Sequence, residues 1–235
     1  MMDDLGYGDL GSYGAPDART PNVDRLARPG VRLTEAYANG HVCSPTRAAL
    51  ISGRYPQRSG IERALADVAD SAVGLPVTGT SLPSLLKTNG YATGLIGKWH
   101  LGFRREFRPQ AHGFDEFFGF LSGAHDYYLG NVFDDTTRVP LTGYLTDEIT
   151  TRALRFIERH AADPFFLEQR GRRQRAVRSG RWKLLVDGAA IFLFDLERDP
   201  GERRDLAAQR PDKVALLKQL SIAWSNDVNA QAPAR

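Results

Sequence analysis

The stretch SLPSLLKTNGYATGLIGKWHLG, residues 81–102, decides the fold because its character changes midway. Ser81 to Asn89 reads as a short helix stopped by Gly90. YATGLIG then reads as a buried strand. A helix feeding a strand through so short a connection predicts a layered α/β domain with a parallel sheet. Lys98 and His100 fall just beyond the strand's C-terminal end, the edge where open parallel sheets build their sites. In extended chain the i, i+2 spacing puts both on one side, suited to gripping an anionic ester. The plainer readings are a surface lysine and a hydrogen-bonded histidine.

Upstream, HVCSPTRAALISGRYP (residues 41–56) holds the only cysteine of the chain. It reads as a helix start, with Ser44 as cap, Pro45 in the first turn, Ala48 to Ile51 continuing and Gly53 ending it. Cys43 then lies at a helix N-terminus, where unpaired N–H groups favour negative charge and a thiolate. Arg47, four residues on, comes round to a similar face. A small buried thiol that only packs is the alternative. Cysteine-dependent phosphatase chemistry fails on spacing: it needs an arginine six residues after the cysteine, and Ala49 stands there.

Of 235 residues, 42% are hydrophobic and 25% charged, as in ordinary globular chains. A single cysteine excludes an intramolecular disulfide. No apolar run approaches membrane-spanning length, so no membrane partner is expected. The start, MMDDLGYGDLG, lacks the basic and apolar segments of a signal peptide, so the cytoplasm is the default expectation. Net charge is +3, with arginine far outnumbering lysine. Six arginines lie between Arg170 and Arg181, but with few aromatics interleaved and acidic residues near, a solvated linker is expected rather than a nucleic-acid patch.

The first fifty residues are glycine-rich loop with a short helix at about 22–27, and GVRLTEAYA (30–38) alternates like a strand. Residues 61–80 look like loop, and HGFDEFFGFLSG like core plus a tight corner. LTDEITTRALRFIERHA (145–161) has the stripe of an amphipathic helix, with Leu145, Ile149, Ala153, Leu154, Phe156 and Ile157 apolar. PFFL opens a further strand, RWKLLV-DG-AAIFLFDL reads as a β-hairpin, and RPDKVALLKQLSIAWSNDV as a closing helix. The expected division is an α/β body over 1–167, a basic junction over 168–175 and a hairpin-plus-helix subdomain over 176–235. Asp3-Asp4, ahead of a glycine-rich loop, can bind a hard divalent cation through oxygen, or be two acids on a frayed terminus.

Taken together, these segments resemble the type I sulfatases. CSPTRAALISGRYPQRSG is similar to that family's first signature, whose core is Cys-x-Pro-x-Arg, and GYATGLIGKWHLG to its second. DDLGYGDLGSYG, TPNVDRLA, GFDEFFGF and LFDLERDPGERRDLA resemble other family stretches in the family's order. The resemblance implies a three-layer alkaline phosphatase-like α/β body, here with an incomplete central sheet, and a small C-terminal α+β appendage. It implies hydrolysis of a sulfate monoester of a sugar or aryl alcohol, with Cys43 oxidised to formylglycine by a dedicated maturing enzyme. One hydroxyl of the hydrated aldehyde attacks sulfur, and the other drives the elimination that expels sulfate. By position, Asp3, Asp4 and residue 43 hold calcium, Arg47 orients the hydrate, Lys98 holds sulfate oxygens and His100 assists elimination. Family members are often periplasmic or secreted.

The chain also departs from the pattern. Only Met1 and Met2 stand where the family has a strand before Asp3-Asp4. After PFFL the sequence passes directly to the C-terminal region near Arg175, without the family's further histidine, Asp-Asn metal pair and second lysine. Other readings follow: a non-catalytic sulfatase remnant or a fragment that depends on a partner chain, and a phosphate or phosphonate ester hydrolase of the same superfamily.

Overall fold

The structure, a computed structural model, describes residues 1–66, 70–161, 163–169 and 174–230. Helix α1 spans Pro21–Ala27, α2 Cys43–Ser52 and α3 Leu82–Thr88. A first sheet of four strands follows: β1 (Gly94–Lys98), β2 (Glu116–Phe120), β3 (Asn131–Asp134) and β4 (Thr137–Pro140), in that order. β1 and β2 run parallel, and β2, β3 and β4 pair antiparallel. Helix α4 is Leu145–Arg159. A second, antiparallel sheet holds β5 (Phe165–Gln169), β6 (Gln174–Ser179), β7 (Trp182–Asp187) and β8 (Ala190–Asp195), followed by helix α5, Pro211–Ala230.

The first sheet is covered on both faces, as a parallel pair requires. Leu95, Phe117 and Phe133 join Ala48 and Ile51 of α2, together with Trp99 and Leu101, in one cluster. The alternating residues Ile96, Phe118, Phe120 and Val132 join Leu145 and Ile149 of α4 in another. Helix, sheet and helix are the three expected layers. Gly97 and Gly119 face each other in register, and a Cβ on Gly119 would land on the Gly97 carbonyl oxygen. Both have positive φ, so glycine alone permits this close approach.

The second unit has its own core, Val177, Leu184, Leu193 and Leu217, formed between the sheet and α5. It is tied back to the α3–β1 corner. Phe166 stacks on Trp224 with centroids 4.9 Å apart, Trp224 Nε1 donates to the Asn89 carbonyl at 3.0 Å, and the Tyr91 hydroxyl donates to the Phe166 carbonyl.

The helix over 81–89, its Gly90 stop and the closing helix are found as expected, while the strand read over 91–97 is β1, Gly94–Lys98, so Lys98 is its last residue rather than beyond its end. Ser81 accepts from Ser84 N–H in a capping box that also starts α3. Several expectations are corrected. Residues 30–38 form no strand: Val31 and Leu33 are 86% and 59% exposed, because no described strand lies beside them to complete a ladder. The EFFGF segment is strand β2, which burial on both faces had disguised, since Phe117, Phe118 and Phe120 do not alternate with polar residues. Ser44 is not the cap of α2. Val42 occupies that position without a side-chain bond, while Gly53 ends the helix at φ 65° as expected. The stripe of α4 is only partly covered, with Leu154 and Ile157 exposed. PFFL continues into β5, which pairs with β6 rather than with the first sheet, so the boundary drawn at 167 falls inside a strand. Of the expected basic junction, residues 170–173 lie outside the described residues and Arg175 already belongs to β6. The hairpin turn is one residue later than read, at Gly188 and Ala189.

His112 carries a measurable consequence of this packing. It is buried against Trp99, with ring centroids 5.3 Å apart, and its Nε2 finds no partner among the described residues. Burial pushes its pKa down from 6.5 to about 4. The unfolded chain therefore binds a proton that the folded chain refuses, and stability present above pH 6.5 is lost as the pH falls toward 4. The loss is at most about 3 kcal/mol. Thermal melts across that range should show a falling midpoint in the wild type and a flatter profile in His112→Phe; parallel profiles would contradict the assignment.

Candidate functional site

The expected site residues come from three places: the N-terminal loop, the first turns of α2 and the C-terminal end of β1. Helix α2 places the free thiol Cys43 at its first position and Arg47 one turn on. Before it, Gly40 packs against Thr46, whose hydroxyl donates to the Gly40 carbonyl at 2.8 Å, fixing the entry of the chain into the helix. Pro45 sits in the first turn, where an N–H would have no intrahelical partner.

Arg47 reaches across to β1. Its Nη1 donates to the Lys98 carbonyl at 2.6 Å, and its Nη2 lies 3.5 Å from Asp3 Oδ1. Lys98 Nζ donates to Asp3 Oδ2 at 2.6 Å. Both cations are largely buried, with side chains 12% and 10% exposed, while the Asp3 side chain is 38% exposed. Arg47 Nε is buried without a partner among the described residues. Partial burial alone would raise the Asp3 pKa. The hydrogen bond from Lys98 and the charges of Lys98 and Arg47 outweigh it, holding the carboxyl below its usual 3.8.

His100 departs from the expected geometry. β1 ends at Lys98, and His100 takes the left-handed conformation, φ 57°, so the two side chains do not share one face of an extended strand. Lys98 turns out to Asp3. His100 is 3% exposed, and its Nε2 lies 2.7 Å from the Leu65 carbonyl. A carbonyl only accepts, so Nε2 carries the proton in this contact. Leu65 N–H in turn donates to Ser44 Oγ at 3.1 Å. Sequence reasoning missed Ser44 and Leu65 as parts of the site, because a backbone carbonyl leaves no signature in residue type.

The expected calcium ligands do not gather as a group. Among the described residues no three of His, Cys, Asp and Glu could hold a metal ion together. Asp3 is engaged by Lys98 and Arg47, and Asp4 has φ 53° and forms no ion pair with a described residue. Two carboxylates are the right hard-oxygen donors for calcium, yet calcium takes about six to eight oxygens. The residues present fit the ion in kind and fall short in number. A cavity of about 620 Å³ lined by Phe156, Phe165, Arg178 and Lys183 contains none of the expected site residues.

The arrangement is one of two fixed cations beside a helix N-terminus, at the end of a parallel strand, and it can hold an anionic group next to residue 43. The sulfatase family model matches residues 1–168, and the chain belongs to that family. It is similar to N-acetylgalactosamine-6-sulfatase of Homo sapiens, 46% identical over 125 residues that cover 51% of this chain and 24% of that protein. Arylsulfatase A of Bos taurus is 48% identical over 128 residues, covering 54% of this chain and 25% of that protein. The chain thus matches about a quarter of the length of these curated relatives. Among solved structures, a protein in complex with its substrate D-glucosamine-2-N,6-O-disulfate matches with TM-score 0.55 and 33% identity, over 66% of this chain and 29% of that one. Ps i-CgsB, solved with k-i-k-neocarrahexaose, matches with TM-score 0.64 over 96% of this chain and 91% of that one. At 19% identity it speaks for the fold alone.

The Asp3 bridge generates a test. Because its pKa is lowered on folding, the bridge contributes stability above about pH 3.8 that disappears as the pH falls below it. Asp3→Asn should cost no more than about 1 kcal/mol at pH 7, given its exposure, and less near pH 3. Urea titrations at the two pH values check this; an equal cost at both would remove the ionic contribution.

Proposed function

We propose that this chain carries the sulfate-binding half of a sulfatase site and that it hydrolyses sulfate monoesters of sugars or aryl alcohols. The observation that supports this most is the convergence of Arg47 and Lys98 on a single carboxylate beside the N-terminus of α2. Two oxygens of a sulfate group can replace the two Asp3 oxygens on those donors. Their charge is then fixed in place before the reaction, so no reorganisation is needed as charge develops on the transferring group.

Cys43 is the precursor of the nucleophile in this reading, converted to formylglycine by a maturing enzyme that supplies the oxidant. The aldehyde hydrate supplies an attacking hydroxyl and, on the same carbon, a second one for release. Arg47 steadies the charge beside residue 43, Lys98 holds the sulfate oxygens, and His100 lies near the start of α2 through its contact with Leu65. Calcium would be held by Asp3 and Asp4 with residue 43 and would supply charge neutralisation, and its remaining oxygen ligands would have to come from outside this residue set. Sulfated glycans or small sulfated molecules are the substrate class. The relative solved with D-glucosamine-2-N,6-O-disulfate supports a sulfated sugar.

Nitrophenyl sulfate and nitrophenyl phosphate, offered separately to protein made with a maturing enzyme, test the reading. Faster turnover of the sulfate is expected, with Lys98→Ala lowering kcat/KM by about 10²–10³-fold. Preferred turnover of the phosphate would favour an ester hydrolase of the other kind. No turnover of either, with calcium supplied, would favour the non-catalytic remnant or the partner-dependent fragment.

A further inference from the structure

The proposed reaction uses His100 but does not explain how its ring is held, because the histidine leaves β1 in a strained backbone conformation. A non-glycine residue at φ 57° persists only where its surroundings fix it. Three contacts supply that. The Leu65 carbonyl receives Nε2 at 2.7 Å, Leu65 N–H donates to Ser44 Oγ at 3.1 Å, and a Cβ on Gly123 would come within 2.5 Å of His100 Cε1. Ser44 is fully buried, and Leu65 is buried in the same core as Ala48 and Trp99. One residue, Leu65, thus spans from the residue next to Cys43 to the imidazole through the two peptide units on either side of its Cα. Its N–H is anchored on α2 and its carbonyl on His100.

We propose that Ser44 is a positioning residue that acts through the backbone of Leu65 to hold His100 as its Nε2–H tautomer at a fixed place relative to residue 43. This rests on the sulfatase reading only for its catalytic consequence; the positioning itself is a property of the fold. With Nε2–H committed to Leu65, neutral His100 presents Nδ1 as an acceptor. Loss of the Ser44 hydroxyl leaves the Leu65 N–H buried without an acceptor, which the loop relieves by moving. A shift of about 1 Å at a group that must meet the reacting atoms can cost up to about 100-fold in rate.

The test is ¹⁵N NMR of the His100 imidazole in wild type, Ser44→Ala and Ser44→Thr, alongside kcat and KM for nitrophenyl sulfate. The Nε2–H signature should hold in wild type and Ser44→Thr. In Ser44→Ala it should give way to a tautomer mixture, with kcat falling at least tenfold and KM little changed. An unaltered imidazole signature in folded Ser44→Ala overturns the proposal. Should Ser44→Ala fail to fold, hydrogen exchange of the wild-type Leu65 amide decides. Strong protection is expected of an N–H bonded to a buried hydroxyl, and exchange at the rate of an open loop overturns the proposal. A changed tautomer in protein that turns over no sulfate ester would count against the sulfatase reading and leave the positioning role standing.

Discussion

The bond from Lys98 to Asp3 spans 95 positions of sequence and joins the N-terminal loop to the end of β1. Nothing else so directly fixes where the first residues lie, since residues 1–9 are exposed throughout. Arg47 completes the junction by bonding both the Asp3 carboxylate and the Lys98 backbone, so α2 and β1 cannot separate without breaking it. Two buried cations sharing one carboxylate leave positive charge in excess. That excess is tolerable where an anion is to be bound and costly where it is not.

The scaffold around this junction explains why it can be rigid. α2 and α4 clamp the parallel pair β1–β2 from opposite faces, and the Gly97–Gly119 contact leaves no room for the strands to slide. The hydrophobic cluster under α2 reaches through Trp99 and Leu101 to Leu65, so the carbonyl that meets His100 is part of the core rather than of a free loop. The second sheet lies apart from this chemistry. Its role visible in the structure is to close the α3–β1 corner through Phe166 and Trp224.

Much of the first layer was legible in the sequence because it is local. The helix over 81–89, the Gly53 and Gly90 stops and the β7–β8 hairpin each follow from residues within a few positions of one another. What escaped depends on distant partners. The alternation of Val31 and Leu33 is a strand only if another strand lies beside it, and β2 concealed its period because it is buried on both faces. Arg47 and Lys98 could be named from their motifs and are brought together. Their engagement with Asp3, the inward turn of His100 and the Ser44–Leu65 link belong to tertiary geometry.

In the proposed reaction residue 43 is a nucleophile precursor set beside fixed cations, so its chemical state is the decisive quantity. The most direct measurement is the mass of the peptide containing residue 43, taken from protein produced together with a formylglycine-generating enzyme. The expected peptide is lighter by one H₂S less one oxygen atom, the change from thiol to aldehyde. A peptide that keeps the full mass of the cysteine form under those conditions would contradict the proposed reaction.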